Sequence, residues 1–163
     1  MVKTPLLALG PIVFLVWGIW QLTPNDETLI RKHLTRLAAT VSFPRHESAL
    51  ARLANINKLR DFFSPDAVLN LELEHHGPQR IEGRDGVVQT AATARQTLGQ
   101  AQLRLHDITV SLGDGAQTAN ARMTLLGDIG GEKYVVAQEL NVSLKKVERI
   151  WLINGIETVR TLQ

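Results

Sequence analysis

The chain contains no cysteine. That excludes disulfides, thiolate metal sites and a cysteine nucleophile, and leaves the compartment open. Clustered positive charge is also missing. The formal net charge is +2, and Lys and Arg never run more than two together. Nucleic-acid binding needs grouped cations to meet phosphates, so the composition speaks against it. There is no internal repeat and no low-complexity tract. Gly113-Asp114-Gly115 and Gly130-Gly131 are not phosphate loops, because neither leads into Lys-Ser/Thr and a helix. His75 and His76 are adjacent. Adjacent strand residues face opposite ways, so the two rings do not clamp one ion. With no well-spaced third ligand, neither a metal nor a cofactor is expected.

What the chain does have is a dense apolar block at its front. Residues 5–22, Pro5 to Leu22, carry no charge. A helix crossing hydrocarbon needs roughly 17–25 apolar residues, and this run falls inside that range. Trp17 and Trp20 stand near its far end, where indoles favour the headgroup layer. A cleaved signal peptide would need small residues before the cut, and Gly18-Ile19-Trp20-Gln21-Leu22 offers no Ala-x-Ala pattern. A buried soluble helix is the other alternative, disfavoured by the length of the run and its aromatic end. Lys3 precedes the block, while Asn25, Asp26 and Glu27 follow it. Positive residues stay on the cytoplasmic side. The expectation is a short cytoplasmic N-terminus (1–4), a signal-anchor helix (5–22) and an extracytoplasmic domain (23–163), in a bacterial periplasm.

Within that domain, Asn25 or Asp26 can cap a helix over residues 26–41. Leu29, His33, Leu34, Leu37, Ala38 and Val41 recur along it at helical spacing. A second helix is expected from Glu47 to Phe63, striped by Leu53, Ile56, Leu59 and Phe63, and ended by Ser64-Pro65-Asp66. Leu69, Leu71 and Leu73 alternate with Asn70, Glu72 and Glu74, which is a half-buried strand. His75 to Pro78 reads as a turn. A third helix follows Gly83-Arg84-Asp85, with Asp85 as cap and Arg84 paired to a nearby carboxylate. Residues 102–112, 117–127, 132–147 and 149–162 read as four antiparallel strands joined by tight turns. Helices on one face of an antiparallel sheet make an α+β domain.

Three stretches in this order carry a resemblance. They are Leu59-Arg-Asp-Phe-Phe-Ser-Pro-Asp-Ala-Val68, Ile81-Glu-Gly-Arg-Asp-Gly-Val87 and Trp151-Leu-Ile-Asn-Gly-Ile-Glu157. Over residues 26–163 the chain resembles the nuclear transport factor two-like superfamily, whose bacterial members include SnoaL-like and ketosteroid isomerase-like domains. The resemblance implies a cone, a curved antiparallel sheet packed on three helices with a pocket at its open end. It implies no single function, because that scaffold serves isomerases, cyclases, dehydratases, cargo binders and assembly subunits. Enzymes of this type carry a carboxylate base close to where Glu74 falls. Their Asp-Pro is replaced here by Glu74-His75-His76, which puts a base role for Glu74 in doubt.

His75 shares the phase of Leu69, Leu71 and Leu73, so an inward imidazole acting as acid, base or ligand contact is the second candidate. Asp107 interrupts the phase of Leu103 and Leu105, Gln138 that of Val136, Leu140 and Val142, and Glu157 that of Trp151, Ile153 and Val159. A polar side chain on an apolar strand face lines a pocket, finds a partner, or marks a bulge that turns it to water. These three are the pocket candidates. Thr118, Asn120, Arg122 and Thr124 should face outward. The preferred expectation is a tethered binding or assembly domain. Its partners would be the bilayer through residues 5–22 and a second copy or another envelope protein, with a hydrophobic small molecule as ligand. The rival is an isomerase, hydratase or cyclase working through a carboxylate or histidine base.

Overall fold

A computed structural model describes residues 25–73, 77–130 and 135–159. The expected membrane run, residues 5–22, lies outside them. Among the described residues no helix is long and apolar enough to cross a membrane. Helix α1 spans Asp26–Val41, α2 spans Ala49–Lys58, and a 3-10 turn follows at Leu59–Asp61. Strand β1 is Phe63–Leu73, β2 is Gly77–Glu82, and α3 is Gly83–Thr97. Strands β3 (Ala101–Leu112), β4 (Thr118–Ile129), β5 (Val135–Val147) and β6 (Ile150–Thr158) complete the order.

The six strands form one curved sheet in the order β2-β1-β6-β5-β4-β3, and the helices pack on it as a cone-like α+β fold. Every neighbouring pair is antiparallel except β1 and β6, which run parallel. The last strand is therefore a central one, lying between β1 and β5.

Helix α1 starts where Asn25 accepts a hydrogen bond from the Glu27 amide at 3.4 Å, with Asp26 and Glu27 favourably placed in the first turn. Ile30, Leu34 and Ala38 recur every four residues and are buried. Ile30 and Leu34 join Phe62, Phe63, Leu69, Val87, Met123, Val142, Leu144, Trp151 and Ile153 in one apolar core. Burying each large aliphatic of this set contributes about 1.5–3 kcal/mol. Leu29, expected in the stripe, lies at its margin and is exposed.

Three expectations need correction. The second helix does not reach Phe63, which already pairs with Ile153 in the sheet. Pro65 bars Ser64 from helix, and it sits in the bulged stretch between Phe63 and Val68 where no ladder amide is needed. Leu53 is not buried: α2 leaves both Leu50 and Leu53 in water. Gly77-Pro78 is not a turn but the start of β2, opposite Leu73 and Glu72. That strand is an exposed edge, where proline is tolerated and hydrophobic alternation is absent.

The entry to α3 also differs from expectation. Glu82 holds the cap position, but its side chain accepts from Arg80 at 2.7 Å and does not cap the helix. Arg84 Nε donates to the Phe63 carbonyl at 2.7 Å, not to a carboxylate. Asp85 lies in the first turn and pairs with Arg60 at 2.6 Å. Gly83, the first residue of α3, has φ +76°, a conformation that other residues resist. On β4, Ala119, Ala121 and Met123 are buried while Thr118, Asn120 and Arg122 face water; Thr124 is half-buried.

Candidate functional site

The inner face is mainly apolar along β3 to β6, so the polar interruptions there decide what the site can do. Asp107 has φ 54° and sits in a register shift between His106 and Thr109. This is a β-bulge, and the extra residue reverses the alternation. Ile108 packs on the core, Val110 is buried, and Asp107 is exposed. Glu157 shares that fate for the same reason. Ile153 pairs with Leu144 and Gly155 with Ser143, leaving Asn154 as the additional residue. The phase then reverses, Ile156 is buried, and Glu157 is exposed. Its Oε1 accepts from Asn70 Nδ2 at 3.4 Å. Glu157, Asn70 and Arg80 line a shallow cleft of about 300 Å³ at the ends of β1, β2 and β6. Neither Asp107 nor Glu157 faces the interior.

Gln138 keeps its phase. It pairs across the sheet with Leu125, which in turn pairs with Leu105. Its side chain is half-buried, and Nε2 donates to the Val159 carbonyl at 3.2 Å. Leu105 and Leu125, with Leu37 of α1 and Leu71 of β1, are half-buried against the core. Leu105, Leu125 and Gln138 thus share one cross-strand row on the inner face. An amide can orient a ligand by hydrogen bonds, but it does not exchange protons at neutral pH. Glu74 and His75, the two candidates for proton transfer, lie outside the described residues, in the connection between β1 and β2. Among the described residues no group of His, Asp and Glu could hold a metal ion.

A second, larger cleft of about 620 Å³ lies on the α2 side of α1. Its walls include His33, Arg36, Lys58, Asp61, Phe62 and Ile150. The His33 ring centre is 4.8 Å from that of Phe62. Burial lowers the His33 pKa and so favours the neutral imidazole. His33 Nε2 is buried without a hydrogen-bond partner. His33 was legible only as part of a helical stripe. Its meeting with Asp61 and Lys58 depends on how the two helices pack.

The corner between α1 and α2 is fixed by an ion pair that the sequence did not announce. Arg95 of α3 pairs with Glu47, and both side chains are almost fully buried. Arg95 also donates to the Thr40 carbonyl at the end of α1 and lies over the Phe43 ring, 4.9 Å from its centre. Burial opposes ionisation of Glu47, yet hydrogen bonds from Arg95 and Asn55 hold its pKa below the usual value. At the other end of α1, Asp26 accepts from Lys146 Nζ at 2.8 Å and Trp151 Nε1 at 3.0 Å. These bonds, Lys146 first, lower its pKa as well.

The model of the SnoaL-like domain matches residues 52–156. No curated protein matches. Solved structures share the fold at low identity. A Novosphingobium aromaticivorans protein provisionally named an aromatic ring hydroxylase is 19% identical, with TM-score 0.63 over 85% of this chain and 90% of its own. Another from that organism, provisionally named a scytalone dehydratase, is 14% identical, with TM-score 0.62 over 82% and 83% of the two chains. A nuclear transport factor two-like protein of unknown function from Pseudomonas putida is 14% identical, with TM-score 0.62 over 84% and 87%. At these identities the likeness establishes the cone and not its chemistry.

Proposed function

The chain belongs to the SnoaL-like domain family, and on that premise we propose that it is a membrane-tethered domain that binds a hydrophobic group at the cone mouth without transforming it. The observation that carries this reading is the inner-face row of Leu105 and Leu125 with Gln138 as its polar member, on a cone whose Leu37 and Leu71 are also only half-buried. Apolar walls with one or two placed polar groups suit retention of a greasy ligand. The bulges at Asp107 and Asn154 support the same reading, because each removes a carboxylate from the interior face. In this reading residues 5–22 hold the domain at the outer surface of the cytoplasmic membrane, with the N-terminus inside.

Native mass spectrometry of the full-length protein, released from detergent, tests the binding half. A hydrophobic adduct is expected, and Leu125→Gln should remove it while the circular dichroism spectrum is unchanged. A wild-type protein without adduct, in which Leu125→Gln also leaves binding of a fluorescent fatty acid unchanged, would refute it. Orientation is tested separately with C-terminal reporters. Alkaline phosphatase should be active and a cytosol-only fluorescent reporter dark; the reverse pattern overturns the placement.

A second reading has two observations in its favour. The fold is shared with a protein provisionally named a dehydratase, and Glu74-His75 directly follows β1 in the sequence. A carboxylate or imidazole there would make the pocket an isomerase, hydratase or cyclase site. If Glu74→Gln and His75→Ala leave ligand binding intact but abolish turnover of the identified ligand, this reading replaces the first.

A further inference from the structure

Six large apolar side chains are exposed among the described residues: Leu29, Leu50, Leu53, Leu112, Val147 and Ile150. Four of the six share one end of the domain. Leu112 closes β3 opposite Ala119, and the adjoining Thr118 pairs with Lys145 near the end of β5. Val147 and Ile150 are direct cross-strand partners at the β5–β6 turn. Glu148 and Arg149 make this a two-residue turn with φ 48° and 70°, so the hairpin ends as a sharp tip. The start of α1 is tied to the same end, since Asp26 bonds Lys146 and Trp151. Leu29 lies in the first turn of α1, and Arg31 donates to Ile108 of β3. Leu50 and Leu53 belong instead to α2, whose start lies beside the far end of α1 through Glu47 and Arg95. The start of α1 and the start of α2 thus lie at opposite ends of α1, whose 16 residues span about 24 Å, and Ile150 alone of the four also borders the cleft toward α2.

The chain outside the described residues enters at this same end. Only Thr23, Pro24 and Asn25 separate the uncharged run ending at Leu22 from α1. A link of three residues reaches at most roughly 10 Å. The headgroup layer on one side of a bilayer is itself roughly 5–7 Å thick. Resting on the tether reading above, we infer that the end carrying Leu29, Leu112, Val147 and Ile150 is a bilayer-contacting rim that seats the domain on the lipid surface. The occupant is the boundary between headgroups and acyl chains. Charge at this end is mixed: Glu27, Asp114 and Glu148 accompany Arg31, Lys32 and Arg149. The contact is therefore apolar and does not depend on anionic lipid. Seated this way, the cone is held at a set height and orientation and does not swing freely on its tether.

The absence of cysteine makes the test direct. Single-cysteine variants Leu112→Cys, Val147→Cys and Ile150→Cys of the full chain carry a polarity-sensitive fluorophore in phosphatidylcholine vesicles. Leu53→Cys and Leu15→Cys serve as far-end and tether probes. All the labelled domain positions are exposed, and circular dichroism verifies folding. Brominated acyl chains should quench the three rim probes and the Leu15 probe but not the Leu53 probe. Replacing part of the lipid with phosphatidylglycerol should leave this unchanged. Quenching at Leu15 without quenching at the rim overturns the inference and leaves the tether standing. No quenching at Leu15 overturns both. Rim probes that are shielded from water yet unquenched would mean that protein, either a second copy or the chain's own N-terminal segment, covers this end, and the inference falls. Rim quenching that requires phosphatidylglycerol would refute its apolar basis.

Discussion

Two arginine–carboxylate pairs hold α3 to the elements before it, and they differ in little except surroundings. Arg95 meets Glu47 at 2.5 Å, and Arg60 meets Asp85 at 2.6 Å. The first pair has side-chain exposures of 1% and 4%, the second of 50% and 81%. Distance alone would rate them equal. In the buried pair, loss of one partner strands a charge away from water, whereas in the exposed pair water replaces either partner readily. The buried arginine also does what an exposed one cannot, filling the end of α1 and covering Phe43.

The largest expected effect follows from breaking the buried pair on one side. Arg95→Met should cost about 3–5 kcal/mol, because Glu47 is left uncompensated. The denaturant midpoint of the full-length protein in a mild detergent measures this. Replacing both partners, Arg95→Met with Glu47→Leu, should recover most of that loss, since no buried charge remains. A double variant no more stable than Arg95→Met alone would show that the arginine acts chiefly through the Thr40 carbonyl and Phe43.

Asp26 tests the middle ground, since it and Lys146 are each about one-fifth exposed, 22%. Asp26→Asn should lower stability by about 1–2 kcal/mol, as the Lys146 and Trp151 hydrogen bonds lose their charge. Asp26 and Glu47 both have lowered pKa values in the folded state. Their stabilisation is fully present above the unfolded values of about 3.9 and 4.3 and is lost as the pH falls through the folded values. Their share of the stability should therefore be lost below about pH 4, after an earlier decline that begins near pH 6.5, where the unfolded chain protonates His33 and the folded domain resists. Asp26→Asn should make the loss below about pH 4 shallower. The smallest effect belongs to the exposed pair. Asp85→Asn should change stability by less than about 1 kcal/mol.

The contrast between the pairs also marks how far the sequence could be read. Helix α1 was legible over its full length, because Asn25 supplies a cap and the leucines supply the period. The strands β3 to β6 were legible to within a few residues from alternation and turns. Edge strand β2 was not, because an exposed edge needs no hydrophobic phase. The three polar interruptions carried one signal with two meanings. Period-two counting places Asp107, Gln138 and Glu157 alike, but a bulge shifts the count by one and only Gln138 stays inside. Ile108 and Ile156 were the available clues, since each resumes the apolar series out of step. The Glu47–Arg95 pair spans 48 positions, and nothing local to either residue announces the other. The clefts were illegible for the same reason, since their walls come from elements brought together only by packing.

One feature of the sheet governs how this domain can be made. Since β6 separates β1 from β5, the early hairpin and the late meander have no shared ladder until nearly the whole chain has been synthesised. Pairings between sequence-distant strands are slow to close, and until then each half offers an open edge to other chains. A protein that ended before Ile150 would keep most of its residues and still lack its central seam. Nascent chains would thus be vulnerable until the last strand arrives, which makes the C-terminus a poor place for truncation and a natural point of chaperone dependence.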